Sequence, residues 1–319
     1  MTSLSTTHRT HRPLLDTVLL VLVATSALFW ADWPSLRGMI SRWSSDPRYS
    51  HGFLVPAFAV YFAWSRRAML ASASPRPSPL GLAWIIGGAF LGLIGARFYL
   101  AWFESLALLP SLAGICLIAW GRPALRWAWP SIAFLIFMLP LPYQVEVSLG
   151  APLQRAATAA STYALQTIGL PAVAEGNIIL IDDARIGVVE ACNGLGMLLM
   201  FFAFASAIVL AIRRSVIDRA LIVLSAAPIA FLANVSRIAA TGVLHRFAGG
   251  PAADSFYHDL AGWLMMPAAM IVFWMEMGLL SRLFTGPPAP GTLSNYASPG
   301  EPPIAAGSVT PPTSGPDYS

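Results

Sequence analysis

The feature that most limits how this chain can fold is a series of long apolar segments that contain almost no charge. Of the 319 residues, 56% are hydrophobic and only 11% are charged, and the mean hydropathy is +0.66. A soluble domain has about 25% charged residues, so the composition excludes a water-soluble protein. Apolar segments of about 20 residues are typical of helices that cross a membrane. The sequence therefore predicts a polytopic membrane protein.

Eight apolar segments are long enough to span a membrane, and together they predict an all-α bundle of about eight transmembrane helices. They cover 14–31, 52–65, 80–96, 99–120, 124–139, 192–212, 220–243 and 258–280. The expected organisation has three parts: a cytoplasmic tail over 1–13, an integral membrane domain over 14–284, and a cytoplasmic tail over 285–319. That last stretch is rich in Pro, Ser, Thr and Gly, which predicts disorder.

Arginine placement determines the predicted orientation, because the chain has no lysine. The short loop between the sixth and seventh segments contains Arg213, Arg214 and Arg219. Short cytoplasmic loops are enriched in basic residues, so this loop and the N-terminus are expected in the cytoplasm. The remaining arginines are too scattered for a nucleic-acid surface, and no nucleic-acid partner is predicted.

The longest internal stretch without a predicted span, 140–191, then lies outside the membrane. Its first half, 143–169, has apolar and alanine positions at helical spacing, which predicts an interfacial helix. Two β-rich runs follow at 177–181 and 186–189, and the polar residues between them predict a hairpin. A small extracytoplasmic cap of one helix and one hairpin is therefore expected.

Three polar segments interrupt the apolar sequence, and all three are expected at the outer ends of helices. Polar residues inside an apolar bundle are costly and are commonly functional. Glu190 and Cys192 stand at the start of the sixth segment, and Asn234 and Arg237 lie late in the seventh. His258 and Asp259 open the eighth. Their common depth predicts one site at the outer face.

A thiol, an imidazole and a guanidinium at one depth are the parts of a cysteine acyl-transfer site. Cys192 at a helix N-terminus is favoured as a thiolate, and His258 at another N-terminus is favoured as a neutral base. Arg237 lies about six residues from the predicted end of its helix, where the dipole suits a cation, and Asn234 shares its face. No metal-ligand spacing, phosphate loop or serine elbow occurs in the sequence, so neither a metal nor a cofactor is predicted.

Each of these residues also has a structural interpretation. Cys192 stands beside small residues that suit close helix packing, Arg237 could pair with a carboxylate at a helix end, and His258 could cap a helix at the interface. Cys116, in mid-helix among apolar residues, is interpreted as a packing residue. A second class of function is a transporter or polysaccharide-export component, in which Arg237 binds an anion and His258 relays protons.

Four motifs resemble the exosortase/archaeosortase family, whose members are multi-pass membrane cysteine transpeptidases. The motifs are YSHGFLVP at 49–56, VVEACNGL at 188–195, ANVSR at 233–237 and FYHDLAGW at 256–263. Their order and spacing extend the resemblance over roughly 14–284.

The resemblance implies that Cys192 is the nucleophile and that Arg237 and His258 are its catalytic partners. Four further residues are supporting candidates: His51, Glu190, Asn234 and Asp259. Members of the family process exported proteins that carry a C-terminal (PEP-CTERM-like) sorting signal, made of a short Pro-Glu-Pro-like motif, a transmembrane helix and a basic end. The implied partners are such exported proteins, membrane lipid and an acceptor that the sequence does not name. The implied location is the bacterial inner membrane, with the active site facing outside.

Overall fold

A computed structural model of the chain describes residues 12–182, 184–188, 194–212, 215–249, 270–276 and 278–279. The chain divides into two units, Met1–Met277 and Gly278–Ser319. In the second unit the two described residues, Gly278 and Leu279, are helical. All other described residues belong to the first unit.

The first unit is built mainly of helices, labelled in chain order. The α-helices are α1 (Arg12–Ala31), α2 (Trp33–Ser45), α3 (Leu54–Ser65), α4 (Arg67–Ala71), α5 (Leu80–Phe98), α6 (Ala101–Leu106), α7 (Leu108–Ala119), α8 (Arg122–Phe134), α9 (Tyr143–Thr167), α10 (Leu195–Ala211) and α11 (Val216–Ala248). Two 3₁₀ segments, η1 (Pro47–Phe53) and η2 (Leu135–Met138), precede α3 and follow α8. Residues 270–276 are also helical.

Three of the described helical runs are long and apolar enough to cross a membrane: α5, the run α6–α7 and α11. The number rises to five if two bent pairs each count as one span, α1 with α2 at 65° and α8–η2 with α9 at 72°. Helices α3 and α10 have only 12 and 17 residues, which is short of the ~20 that a span needs. The described residues therefore contain three to five candidate spans, where the sequence predicts eight in the whole chain. Most of the eighth, 258–280, lies outside the described residues.

Helix α5 packs along the run α6–α7 because it carries buried glycines every seven residues: Gly81 and Gly88 approach α7, and Gly95 approaches α6. A Cβ atom at Gly81 would lie 2.5 Å from the carbonyl oxygen of Gly114 on α7, so only glycine permits this approach. The N-terminus of α5 therefore lies near the C-terminus of α7. Because α5 has 19 residues, its two ends are about 28 Å apart, which is close to the thickness of a bilayer core.

A three-stranded antiparallel sheet follows α9, with strands β1 (Ala172–Glu175), β2 (Ile178–Ile181) and β3 (Ala184–Gly187) in that order. Strands β2 and β3 correspond to the two β-rich runs of the predicted hairpin. Strand β1 was not predicted, since its short run of small residues has little β propensity. It forms because Gly176, at φ 61, turns the chain back so that β1 pairs with β2.

One hydrophobic cluster holds the sheet, α9 and α11 together. Its buried members include Ile179, Ile181, Ile186 and Val188 on the sheet side and Ala157, Leu165 and Ile238 on the helices. Ile238 directly follows Arg237, so the arginine lies on the helix turn against which the sheet is packed. A second cluster joins α2, η1, α3, α7, η2 and α10, with Tyr49 and Trp43 among its buried side chains.

Candidate functional site

Asn234 and Arg237 form a buried pair on one face of α11. Asn234 has no exposed surface and Arg237 is 9% exposed. The guanidinium donates from Nη2 to Oδ1 of Asn234 at 2.9 Å. Residues three apart on a helix are neighbours, so the local sequence already favours this bond. A charge-assisted hydrogen bond of this length fixes the direction of the guanidinium.

The negative end of the α11 dipole does not account for the position of this cation. The sequence predicted that Arg237 lies about six residues from the helix end, but α11 continues to Ala248, eleven residues beyond it. That separation is about 16 Å, and the dipole acts within the last turn only. The prediction was wrong because the helix is longer. The basic residues of the last turn are His245 and Arg246 instead.

The first turn of α10 lies against this pair. Gly194 is the N-cap of α10 at φ 84, and Leu195 is buried. A Cβ atom on Gly194 would be 3.2 Å from Nδ2 of Asn234, which is a tight contact for any larger residue. Gly194 therefore needs to be glycine for two reasons, its left-handed backbone and its approach to Asn234.

The chain that leads into residues 189–193 is anchored on α9. The N–H of Val188 donates to the Asn177 carbonyl oxygen at 2.8 Å, and its own carbonyl accepts a hydrogen bond from the Gln154 side chain of α9. On the same helix, the Ser161 hydroxyl donates to the Val235 carbonyl of α11 at 3.5 Å. Val188 on one side and Gly194 on the other are thus positioned by α9 and α11, and the five residues between them include Cys192.

Segment η1 contacts the same first turn of α10. Gly196 lies so close to Arg48 that an added Cβ would be 2.9 Å from the Arg48 Cα. His51, one turn later in η1, is 5% exposed, and its Nε2 is 3.2 Å from the Phe137 carbonyl oxygen. A carbonyl oxygen only accepts, so Nε2 carries the proton in this arrangement. Burial lowers the pKa of His51, although its backbone partners oppose that shift.

Glu146 joins η1 to α9 through a buried polar network that was not predicted from the sequence. Its carboxylate accepts hydrogen bonds from the Tyr49 hydroxyl and, at 3.2 and 3.4 Å, from Arg42 Nη2. Arg48 Nη1 lies 3.9 Å from the same carboxylate, and the Tyr49 oxygen accepts from the Leu141 N–H at 3.2 Å. The available signal was that Glu146 is the only carboxylate in the sequence between residues 104 and 175.

Asp46 caps the start of η1 and forms an ion pair with Arg48. Its carboxylate caps the segment by accepting the Arg48 N–H at 3.1 Å, and it pairs with the Arg48 guanidinium at 2.7 Å. Burial alone would raise the pKa of Asp46, but the hydrogen bonds and charge of Arg48, with the charge of Arg42, lower it overall. Asp46 is therefore ionised at neutral pH.

An open cleft of about 520 Å³ borders this network, between α2, α6 and the chain that leads into α9. Arg42 and Glu146 stand on its wall, together with Glu104, Tyr99 and Tyr143. The cleft has the size of a small-molecule or peptide site. Arg42 and Glu146 link it through η1 to the first turn of α10.

The predicted site residues divide into two groups. Cys192, His258, Asp259 and Glu190 lie outside the described residues. Asn234, Arg237 and His51 are described, and the structure brings the first two into contact. His51 lies in η1, on the segment that packs against α10. Cys116 is a free thiol on α7, three residues before that helix ends.

Comparison with known proteins identifies the family of the chain. The sequence of residues 43–275 matches the sequence model of the family described as "Transmembrane exosortase (Exosortase_EpsH)". The match covers more than two thirds of the chain. The match includes η1, α9, the sheet, α10 and the Asn234–Arg237 face of α11. No curated protein and no solved structure has a significant match. The chain belongs to the transmembrane exosortase family.

Proposed function

We propose that the protein is a membrane cysteine protease and transpeptidase that cleaves the C-terminal, PEP-CTERM-like sorting signal of exported proteins. Membership of the exosortase family supports this class of activity. The observation that carries the assignment of the site is the contact between Gly194 and Asn234. Gly194 follows Cys192 by two residues, and Asn234 binds Arg237. These contacts support Cys192 as a nucleophile that acts beside Arg237.

The proposed first step forms a thioester. The Cys192 thiolate attacks the carbonyl carbon of the scissile peptide bond, and the resulting tetrahedral intermediate collapses as the C–N bond breaks. Arg237 stabilises the oxyanion through its N–H donors. His258 takes the proton of the Cys192 thiol as the thiolate forms and then gives that proton to the leaving amine, which departs with the C-terminal segment of the signal.

The second step releases the exported protein. The nucleophilic group of an acceptor, or water, loses a proton to His258 and attacks the thioester carbonyl. The C–S bond breaks, Cys192 returns to the thiolate, and the new bond joins the exported protein to the acceptor. Transfer and hydrolysis differ only in the nucleophile of this step.

Asn234 acts as a positioning residue in this proposal. Its Oδ1 holds the Arg237 guanidinium in one direction, so that the same donors meet each tetrahedral intermediate. Glu190 precedes Cys192 by two residues, and Asp259 directly follows His258. We assign these two carboxylates supporting roles in orienting the thiol and the imidazole. His51 supports the site from η1, which packs against the first turn of α10.

The proposed membrane arrangement is an eight-span bundle in the bacterial inner membrane, with the site and the α9–sheet cap outside. The membrane domain covers 14–284, and the tails 1–13 and 285–319 lie in the cytoplasm. Helix α5 is about as long as a bilayer core is thick. Its length therefore supports placing the loop before Leu80 and the turn at Tyr99 on opposite sides of the membrane. Arg76 precedes the first of these ends and the cleft at Tyr99 adjoins the second.

The test of the proposal is processing of a co-expressed substrate that carries a sorting signal. Cys192→Ala and Cys192→Ser are expected to abolish cleavage while the protein still accumulates in the membrane, because each change affects one small side chain. Cys116→Ala is the matched control and is expected to cleave normally. Normal cleavage by the Cys192 variants would refute the thioester mechanism.

A further inference from the structure

Three arginines and no carboxylate line an open pocket of about 440 Å³ at the start of α8, here called the arginine pocket. Its lining comes from the loop before α5 and the first turns of α8: Arg76, Pro77, Ser78, Arg122, Pro123 and Arg126. None of these residues belongs to the site described above.

Backbone hydrogen bonds hold the two sides of the arginine pocket together. The N–H groups of Arg76 and Ser78 donate to the carbonyl oxygens of Trp120 and Leu117, at 3.1 and 2.9 Å. Gly121, at φ 76, allows the Arg76 carbonyl to lie where a Cβ atom would otherwise stand. Arg76 is therefore attached to the end of α7 and lies beside the start of α8, so the pocket is preformed.

The positive charge of the arginine pocket has no counterpart in the described part of the chain. Arg76, Arg122 and Arg126 form no ion pair with any described carboxylate, whereas Arg42 and Arg48 do. Arg66 adds a fourth cation, since its guanidinium donates to the Arg126 carbonyl at 3.1 Å. The pocket also meets the N-terminus of α8, whose cap residue Gly121 has no side chain to offer and whose dipole favours an anion.

The arginine pocket adjoins a surface of the kind that faces lipid. Helix α5 begins at Leu80, two residues after Ser78. Only 17% of the most apolar stretch of this helix is buried within the protein. Leu80 and Leu82, in the first turn of α5, are 54% and 56% exposed. A molecule with an anionic head and apolar chains matches both surfaces at once.

We propose that the arginine pocket binds a phosphate group, and that its source is the headgroup of an anionic phospholipid. Guanidinium groups bind phosphate oxygens through paired donors, and basic pockets between transmembrane helices bind the headgroups of anionic lipids. The acyl chains would lie along the exposed face of α5. This inference does not depend on the transpeptidase activity.

The experiment uses the full-length protein purified in a neutral detergent. Its thermal midpoint is measured with added phosphatidylglycerol, with phosphatidylcholine and with inorganic phosphate. The test variant carries Arg76→Gln, Arg122→Gln and Arg126→Gln. The control carries Arg37→Gln, Arg97→Gln and Arg155→Gln, which removes the same charge from exposed arginines elsewhere.

We expect phosphatidylglycerol to raise the midpoint of the wild type and the control more than phosphatidylcholine does. In the test variant, the concentration for half-maximal effect should rise at least tenfold. If the test variant does not fold, the single variant Arg126→Gln is compared with Arg155→Gln, and a rise of several-fold is expected for Arg126→Gln alone. Equal losses in test and control, or no preference for phosphatidylglycerol in the wild type, would overturn the proposal.

Inorganic phosphate distinguishes the two sources of the anion. No shift with phosphate at millimolar concentration, together with a shift from phosphatidylglycerol, assigns the pocket to lipid. Inorganic phosphate could instead raise the thermal midpoint of the wild type but not of the test variant, and also block the effect of phosphatidylglycerol. That result would support a phosphate site but overturn its assignment to lipid.

Discussion

The Arg237 guanidinium donates to Asn234 Oδ1 at 2.9 Å, and Asn234 has no exposed surface. A buried amide that cannot turn towards water holds the cation in one direction, which is what a stabilising group for a developing oxyanion requires. Gly194 lies against the other end of the same amide. One side chain thus contacts both the first turn of α10 and the arginine of α11.

Replacement of Arg237 should separate catalysis from binding. Lysine keeps the charge but loses the paired donors of the guanidinium, and loss of one well-placed donor typically lowers turnover by roughly 10²–10³-fold. We expect Arg237→Lys to be severely impaired in cleavage and Arg237→Ala to be inactive. A cleavage assay on a tagged sorting-signal substrate measures both.

Crosslinking of that substrate to the same variants tests the competing role of Arg237 as an anion-binding group. If Arg237 is catalytic, both variants should still capture substrate. Failure of Arg237→Ala to capture it, with rescue of capture by Arg237→Lys, would instead assign Arg237 to binding an acidic group and favour a transporter-like or recognition role.

Gly194→Ala should reduce activity through its contact with Asn234. Alanine at φ 84 carries backbone strain of about 1–2 kcal/mol, and its Cβ would also press on Asn234 Nδ2. Gly169→Ala is a matched control, because Gly169 has φ 90 but no atom within 4 Å of an added Cβ. We expect at least a tenfold loss of cleavage for Gly194→Ala at similar membrane levels and little change for Gly169→Ala. Equal activities would show that the contact has no role.

Glu146→Gln should lower stability by weakening the network around η1. The carboxylate accepts from Tyr49 and Arg42 while nearly buried. Glutamine removes its charge and turns one of its two acceptor oxygens into a donor, and hydrogen bonds to a charged group contribute about 1.5–3 kcal/mol. Glu175→Gln, on an exposed strand position, is the control. Thermal unfolding in detergent micelles should show a lower midpoint for Glu146→Gln only. An unchanged midpoint would mean that the ion pairs of Glu146 do not stabilise the fold.

Acid should destabilise the fold through His51. Burial lowers the pKa of His51 in the folded protein, whereas the unfolded chain has the ordinary value of about 6.5. The unfolded state therefore binds more protons as the pH falls below about 6.5, and stability decreases there. His51→Gln should remove this part of the pH dependence of the thermal midpoint, and His245→Gln should retain it. A pH profile that His51→Gln leaves unaltered would contradict the prediction.

Thiol labelling should establish the proposed orientation. In a variant without the two native cysteines, a reagent that does not cross the membrane should label Arg185→Cys on β3 in intact cells. Val216→Cys, exposed at the start of α11, should be labelled only after permeabilisation. The opposite pattern would place the Asn234–Arg237 face in the cytoplasm and contradict processing of exported proteins.

Sequence alone predicts the features that depend on interactions between residues close together in the chain. Apolar runs predict the membrane class, because their transfer out of water does not depend on which neighbour they meet. The spacing of three between Asn234 and Arg237 predicts a shared helical face, since the helix itself brings these positions together. The β2–β3 hairpin follows from two β-rich runs separated by a short polar turn.

The tertiary structure determined the contacts between residues far apart in the chain. Gly194 and Asn234 are 40 positions apart, and Tyr49 and Glu146 are 97 apart. No periodicity of either segment encodes such a pair, because it depends on how α9, α10, α11 and η1 pack. The same holds for β1, which needs its partner strand, and for the extension of α11 to Ala248. Helix and hairpin tendencies act between near neighbours, whereas the surroundings of the site depend on which distant side chains share one buried volume.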